Sequence, residues 1–218
     1  MRMIVLEGPR GIGKTHLVGM LAERTGGRVI RASAKSNPFL SESGAPESGY
    51  SFQAILHSLM SQFKQAHQLM QADLFSDASP CFLDYLVEAS PISARLLMSR
   101  READLFDTYF DIMMQRVPLP DLIVYLRAST DVLMERLALA EREDGEIPNR
   151  EFVDSVNRAY DDFFMNYKRS SLLIVDTDEA DYRNVPRDFH DFCQDLEWAL
   201  QDNGMGSVIR LTGSAAQD

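Results

Sequence analysis

Gly8-Pro9-Arg10-Gly11-Ile12-Gly13-Lys14-Thr15 is the stretch of this chain whose residue types and spacing most plainly imply a chemistry. It fills every fixed position of the phosphate-loop pattern G-x-x-x-x-G-K-[ST]. Glycines in such a loop let backbone N–H groups turn inward onto phosphate oxygens, and a following helix adds the positive end of its dipole. Lys14 is placed to reach the outer phosphates, and the Thr15 hydroxyl to ligate Mg²⁺. All eight residues are therefore candidate nucleotide contacts. The context is the required one. The apolar run Met3-Ile4-Val5-Leu6 precedes the loop, and the helical stripe Leu17, Val18, Met20, Leu21 follows it.

The rest of the chain supplies elements that could carry such a loop. Short apolar runs at Met3–Leu6, Cys81–Leu83, Leu122–Leu126 and Leu172–Val175, with a weaker one at Arg28–Ile30, predict five strands. Helical segments separate them, at about Tyr50–Met70, Glu102–Arg116, Thr130–Ala140, Glu151–Tyr167 and Arg187–Gln201. Strands alternating with helices predict an α/β fold on a mainly parallel sheet. Phe52, Ile55, Leu56, Leu59, Met60 and Phe63 form the clearest i, i+3, i+4 stripe. Ser41–Gly49 and Glu141–Asn149 are expected to be loops, and residues from about Asn203 a flexible tail.

In a parallel sheet, ligands sit beyond the carboxyl ends of the strands. Asp84 directly follows Cys81-Phe82-Leu83 and is expected on the same edge as the phosphate loop, where a carboxylate can hold Mg²⁺. Capping a turn is the plainer role for the same residue. Glu7 is expected to support the loop backbone. Asp176 and Asp178 follow another strand, where turn chemistry and an adenine-side position account for them equally. Arg136 and Arg142 flank the charged stretch at 141–149; on a closing lid they could stabilise charge on a moving phosphoryl group.

Composition narrows the partners. The 218 residues suffice for one α/β domain with a full core. A net charge of -11 argues against coating a nucleic-acid polymer, though not against a nucleotide in a local basic pocket. Cys81 and Cys193 lack paired spacing, which fits buried thiols in a reducing compartment. No apolar run approaches membrane-spanning length and the N-terminus leads straight into a strand, so a cytoplasmic protein is expected.

At this point the chain resembles the deoxynucleoside kinase family, its bacterial deoxyguanosine and deoxyadenosine kinases in particular, over about residues 3–200. The phosphate loop in Val5–Thr15 carries the likeness first. Asn37-Pro38-Phe39-Leu40 and Tyr50-Ser51-Phe52-Gln53 follow, then Asp84-Tyr85, the run Pro120–Ser129, Glu135-Arg136-Leu137, Ala159-Tyr160, Phe163-Phe164, Tyr167 and Asp176-Thr177-Asp178-Glu179. The resemblance implies a three-layer P-loop kinase fold over residues 1–202, with a lid near 141–149 and the tail at 203–218. It implies phosphorylation of a deoxynucleoside 5′-hydroxyl by ATP with Mg²⁺, in a homodimer. Lys14, Asp84, Arg136 and Arg142 would be catalytic, Thr15 and Asp84 would hold the metal, and Gln53, Phe52 and Tyr85 would meet the substrate. Gln53 matches the glutamine whose amide pairs with the base edge; Phe52 belongs to the core stripe on either reading.

The sequence also departs from that family. Its general base is a glutamate five residues before the Asn-Pro pair, and that position here is Ala32. A further acid near the base falls at Ser90, and one lid arginine becomes Ala140. Asp84, or Glu42 or Glu47 from the nearby loop, could take up the proton instead. Two alternatives stay open: a nucleotide-binding pseudokinase with a regulatory or scaffolding role, and a nucleoside monophosphate kinase of thymidylate kinase type. For the latter, Arg10, Arg31 and Lys35 could receive the acceptor's phosphate.

Overall fold

A computed structural model describes residues 2–32, 37–40, 49–73, 79–140, 148–201 and 208–211. The five expected strands form β1 (Met3–Glu7), β2 (Arg28–Ile30), β3 (Cys81–Leu83), β4 (Leu122–Arg127) and β5 (Ser171–Asp176). Their helices are α1 (Lys14–Thr25), α2 (Ser51–Asp73), α3 (Ser90–Leu97), α4 (Arg100–Met114), α5 (Thr130–Ala140), α6 (Arg150–Met165) and α7 (Pro186–Gln201).

One expectation needs correction. The tail at 203–218 is not wholly without structure, because Val208–Leu211 forms β6 and pairs in parallel with β5. The reason is an unfilled sheet edge: β5 offers backbone groups there, and Val208-Ile209-Arg210-Leu211 is rich in the residue types that strands favour. The finished sheet has the order β2-β3-β1-β4-β5-β6, and every pairing is parallel.

Continuous apolar strands are what a sheet covered on both faces demands. Alternate residues feed two cores. Ile4, Leu6, Val124 and Leu126 pack with Leu17 and Leu21 of α1, Leu133 of α5 and Leu196 of α7. Val5, Ile123 and Tyr125 pack with Leu59 of α2, Ile92 of α3, Phe106 of α4 and Phe164 of α6. The result is three layers, helices on each side of the sheet.

Helix starts follow local chemistry. Ser99 and Glu102 form a reciprocal capping box, which begins α4 at Arg100, slightly ahead of the apolar periodicity. Asn149 caps α6 by accepting from the Phe152 N–H at 2.8 Å. The short helix α3 shows no long apolar stripe; Pro91 near its start marks it instead.

The sheet order decides where a ligand can sit. β1 lies between β3 and β4, so the chain winds outward in both directions from it. The loop leaving β1 therefore opens at the point where the winding reverses, the crevice that parallel sheets offer to ligands.

Candidate active site

The loop between β1 and α1 is built from below by Glu7. Its carboxylate is buried and accepts the Gly8 N–H at 2.8 Å and the Leu86 N–H at 2.6 Å. Tyr160 approaches it with its hydroxyl at 3.5 Å, and the Lys14 ammonium stands 3.5 Å away. Burial raises the Glu7 pKa, against the pull of Lys14 and of its backbone donors. Glu7 thus ties the start of the loop to the segment after β3, the supporting role its position implied.

Two glycines are dictated by geometry. A β-carbon on Gly8 would lie 2.3 Å from the Leu126 carbonyl oxygen, so the loop passes β4 too closely for any side chain. Gly13 has φ 98°, and a β-carbon there would meet nothing within 4 Å. The loop is therefore tight against the sheet at its start and open where it enters α1. Lys14 folds back over it, donating to the carbonyls of Gly8 and of Pro9, the latter at 3.2 Å.

Across this opening stand Thr15 and Asp84. The Thr15 hydroxyl donates to one Asp84 carboxylate oxygen at 2.8 Å, and the Ala32 N–H donates to the other at 2.7 Å. Thr15 lies in the first turn of α1, Asp84 follows β3 and Ala32 follows β2, so three chain segments converge at one edge of the sheet. A hydroxyl and a carboxylate are hard oxygen donors that suit Mg²⁺. Among the described residues no group of three or more His, Cys, Asp or Glu could hold a metal ion.

The other expected residues fall in different places. Asp84 and Tyr85 are adjacent in sequence but separate in space. The Tyr85 ring is buried in the core beneath α2 and borders a small void with Met3, Val117 and Pro118, near the amino ends of β1 and β4. Among the described residues its hydroxyl has no hydrogen-bond partner, and burial pushes its pKa up. Phe52 is half-buried against the same core, and Gln53 is exposed on the first turn of α2. Arg10 is exposed on the loop. Arg31 lies along α1, its guanidinium 3.6 Å from where a Gly19 β-carbon would stand.

Arg136 donates to the Thr177 hydroxyl at 2.9 Å and to the carbonyls of Thr177 and Ala180 at 2.5 and 3.2 Å. It fastens α5 to the turn after β5. Arg142, the lid at 141–147, Lys35, Glu42 and Glu47 lie outside the described residues, as does the tail at 203–207 and 212–218. Asp178 and Asp176 do turn chemistry: Asp178 accepts from the Ser129 N–H at 2.6 Å, and Asp176 from the Asp178 N–H at 3.1 Å.

The sequence marked Asn37 and Ser90 only through the resemblance and did not show what they support. The buried Asn37 side chain donates to the Ala54 carbonyl at 2.8 Å and to the Ser58 hydroxyl at 3.0 Å, anchoring its segment on α2. Ser90 donates to Gln62 at 3.4 Å, and Gln65 donates to the Arg31 carbonyl at 3.2 Å. The polar positions of α2 interleaved with its apolar stripe were the available signal.

Comparison with known proteins follows the same lines. The family model described as "Deoxynucleoside kinase" matches residues 4–200. The chain is 24% identical over 190 residues to a deoxyguanosine kinase of Bacillus subtilis (strain 168), covering 85% of this chain and 91% of that one. It is 23% identical over 190 residues to a deoxyadenosine kinase of Lactobacillus acidophilus, covering 83% and 88%. Among solved structures, the fold is similar to a deoxyadenosine kinase from M. mycoides with bound dATP: TM-score 0.74, 18% identity, 90% of this chain and 100% of that chain.

Proposed function

We propose, from the premise that this chain belongs to the deoxynucleoside kinase family, that it transfers the terminal phosphoryl group of ATP to the 5′-hydroxyl of a deoxynucleoside. The observation that carries this reading is the hydrogen bond between Thr15 and Asp84 at the mouth of the phosphate loop. It joins the residue pair that phosphoryl transfer needs for a divalent ion at the place where the loop can hold a polyphosphate.

Each residue then has a task. The backbone N–H groups of Gly11 and Gly13 and of the start of α1 bind the phosphates. Lys14 exchanges the Gly8 and Pro9 carbonyls for phosphate oxygens. Thr15 and Asp84 hold Mg²⁺, which supplies neutralisation of developing charge when bound. Asp84 also accepts the proton of the attacking hydroxyl, since Ala32 has no side chain to do so. Arg136 sets the turn after β5 against α5, and Arg142 brings positive charge from the lid. Gln53 and Phe52 face the acceptor from α2, and Tyr85, buried towards the amino ends of β1 and β4, is left with a packing role.

A homodimer belongs to the same proposal. Leu105, Tyr109 and Ile112 lie at i, i+4, i+7 on α4 and are exposed, while Phe106, Phe110 and Met113 face the core. An apolar stripe on the outer side of a surface helix is an interface feature. Among the described residues no helix is long and apolar enough to cross a membrane. A cytoplasmic location is part of this reading.

The test is a panel of nucleosides and nucleoside monophosphates incubated with labelled ATP and Mg²⁺. Product from a deoxynucleoside supports the proposal. Product from monophosphates alone supports the thymidylate kinase type of reaction. ATP binding with no product from any acceptor supports a pseudokinase, the reading favoured by the bare Ala32 position and the inward-turned Tyr85.

A further inference from the structure

A cavity of about 330 Å³ lies at the opposite edge of the sheet from the phosphate loop. It opens where α1 ends, where β1 and β3 begin, and along α7. Its floor is apolar: Ile4, Leu21, Phe82 and Leu196 are buried, and Leu200 is half-buried. Its rim is charged, with Arg2 on one side, Arg24 from the last turn of α1 on another, and Glu197 from α7.

The rim chemistry is selective. Among the described residues neither Arg2 nor Arg24 has an ion-pair partner, and Glu197 is not paired with either. The Arg24 charge reaches the wall of the cavity, where it pulls the pKa of the buried Cys193 thiol down against the upward push of burial. Two guanidiniums against one carboxylate leave the mouth positive in a chain of net charge -11. The volume falls in the range of small-molecule sites, which combine apolar walls with a few polar groups that fix orientation.

We propose that this cavity is a second ligand site, distinct from the phosphate loop, and that its ligand is an amphipathic anion: an apolar body of about ten carbons on the floor of Leu21, Phe82 and Leu196, with a carboxylate between Arg2 and Arg24. An anionic head group matches the guanidinium geometry, which grips carboxylates through paired N–H donors. A polar nucleotide base would leave its hydrogen-bonding edge against apolar side chains, at a desolvation cost nothing in the floor offsets.

The test titrates the full-length protein with decanoate, octanoate and decanol below their aggregation limits, by calorimetry and by methyl NMR of Leu21 and Leu196. Decanoate is expected to bind in the micromolar range and to shift both leucines, with octanoate about ten-fold weaker for its two missing methylenes. Decanol is expected to bind at least five-fold more weakly than decanoate. The exposed substitutions Arg2→Gln and Arg24→Gln together should remove that preference, and Thr25→Trp, which overhangs the mouth, should block binding. Equal binding of decanol and decanoate overturns the proposal, as does unchanged decanoate affinity in the double variant, shifts confined to other methyls, or no binding at about 1 mM, well beyond the range of a specific small-ligand site.

Discussion

Thr15 and Asp84 stand 69 positions apart in the chain and 2.8 Å apart in the fold, hydroxyl to carboxylate. The distance closes because β3 lies beside β1, so the residue that leaves one strand meets the helix that follows the other. Asp84 is held from its second side by the Ala32 N–H. The pair is therefore fixed before any nucleotide arrives, which is what electrostatic catalysis requires of its charged groups.

Asp84→Asn should lower the transfer rate by about a hundred-fold or more, through loss of both metal binding and proton acceptance. Nucleotide binding measured without divalent ions should survive, since the loop and Lys14 are untouched. Rate measurements beside ATP titration separate the two. Unchanged transfer would remove Asp84 from the mechanism.

Ala32→Glu should raise the rate, within the 10²–10⁴-fold range typical of a well-placed general base. The substitution is exposed and its backbone N–H already points at Asp84, so folding should be little affected. Steady-state kinetics on the best deoxynucleoside tests this. A rate that stays flat would show that Asp84 alone already takes the proton as well as a glutamate at this position would.

Gly8→Ala should destabilise the fold by about 2–4 kcal/mol, from a β-carbon driven onto the Leu126 carbonyl. Gly13→Ala meets no neighbour, so its cost should be limited to backbone strain of about 1–2 kcal/mol. Denaturant melts of the two variants should rank them in that order. The reverse order would mean the loop does not press on β4 as described.

Glu7 gives a pH signature. Its pKa is raised in the fold above the ordinary 4.5, chiefly by burial. The folded state therefore holds the proton more tightly than the unfolded chain. Its contribution is most favourable below pH 4.5 and declines as pH rises through the folded value. Glu7→Gln should lack this slope, so the stability difference between wild type and variant should change with pH across that window. Taking the difference cancels the chain's other carboxylates. A difference that does not vary with pH would mean Glu7 titrates as it does in the unfolded chain.

Ile112→Glu should convert a dimer into a monomer, weakening association at least about a hundred-fold by placing an unpaired charge in the interface. Light scattering behind a sizing column reads the mass directly. A wild-type protein that is already monomeric at about 10 μM excludes α4 as its interface.

The sequence alone determined the phosphate loop and most of the frame around it. Gly8, Gly13, Lys14 and Thr15 are consecutive or nearly so, and local spacing suffices where the backbone itself forms the site. The apolar runs gave the first five strands because a sheet buried on both faces needs unbroken apolar strands. Asp84 was legible too, since its place after β3 follows from the direction of a parallel sheet.

Tertiary structure decided what spacing could not. Tyr85 follows Asp84 directly, yet its ring enters the core beneath α2 while the carboxylate turns to Thr15. Successive side chains at a strand end diverge, and only the neighbouring layers set which one meets solvent. Arg136 could be placed on a helix by its spacing, but its bonds to Thr177 and Ala180 depend on β5 ending beside α5. The sixth strand was hidden for a related reason: four residues acquire strand character from the open edge of β5, whose partner residues lie 36 positions earlier in sequence. The cavity between α1 and α7 likewise exists only because both helices cover the same face of the sheet.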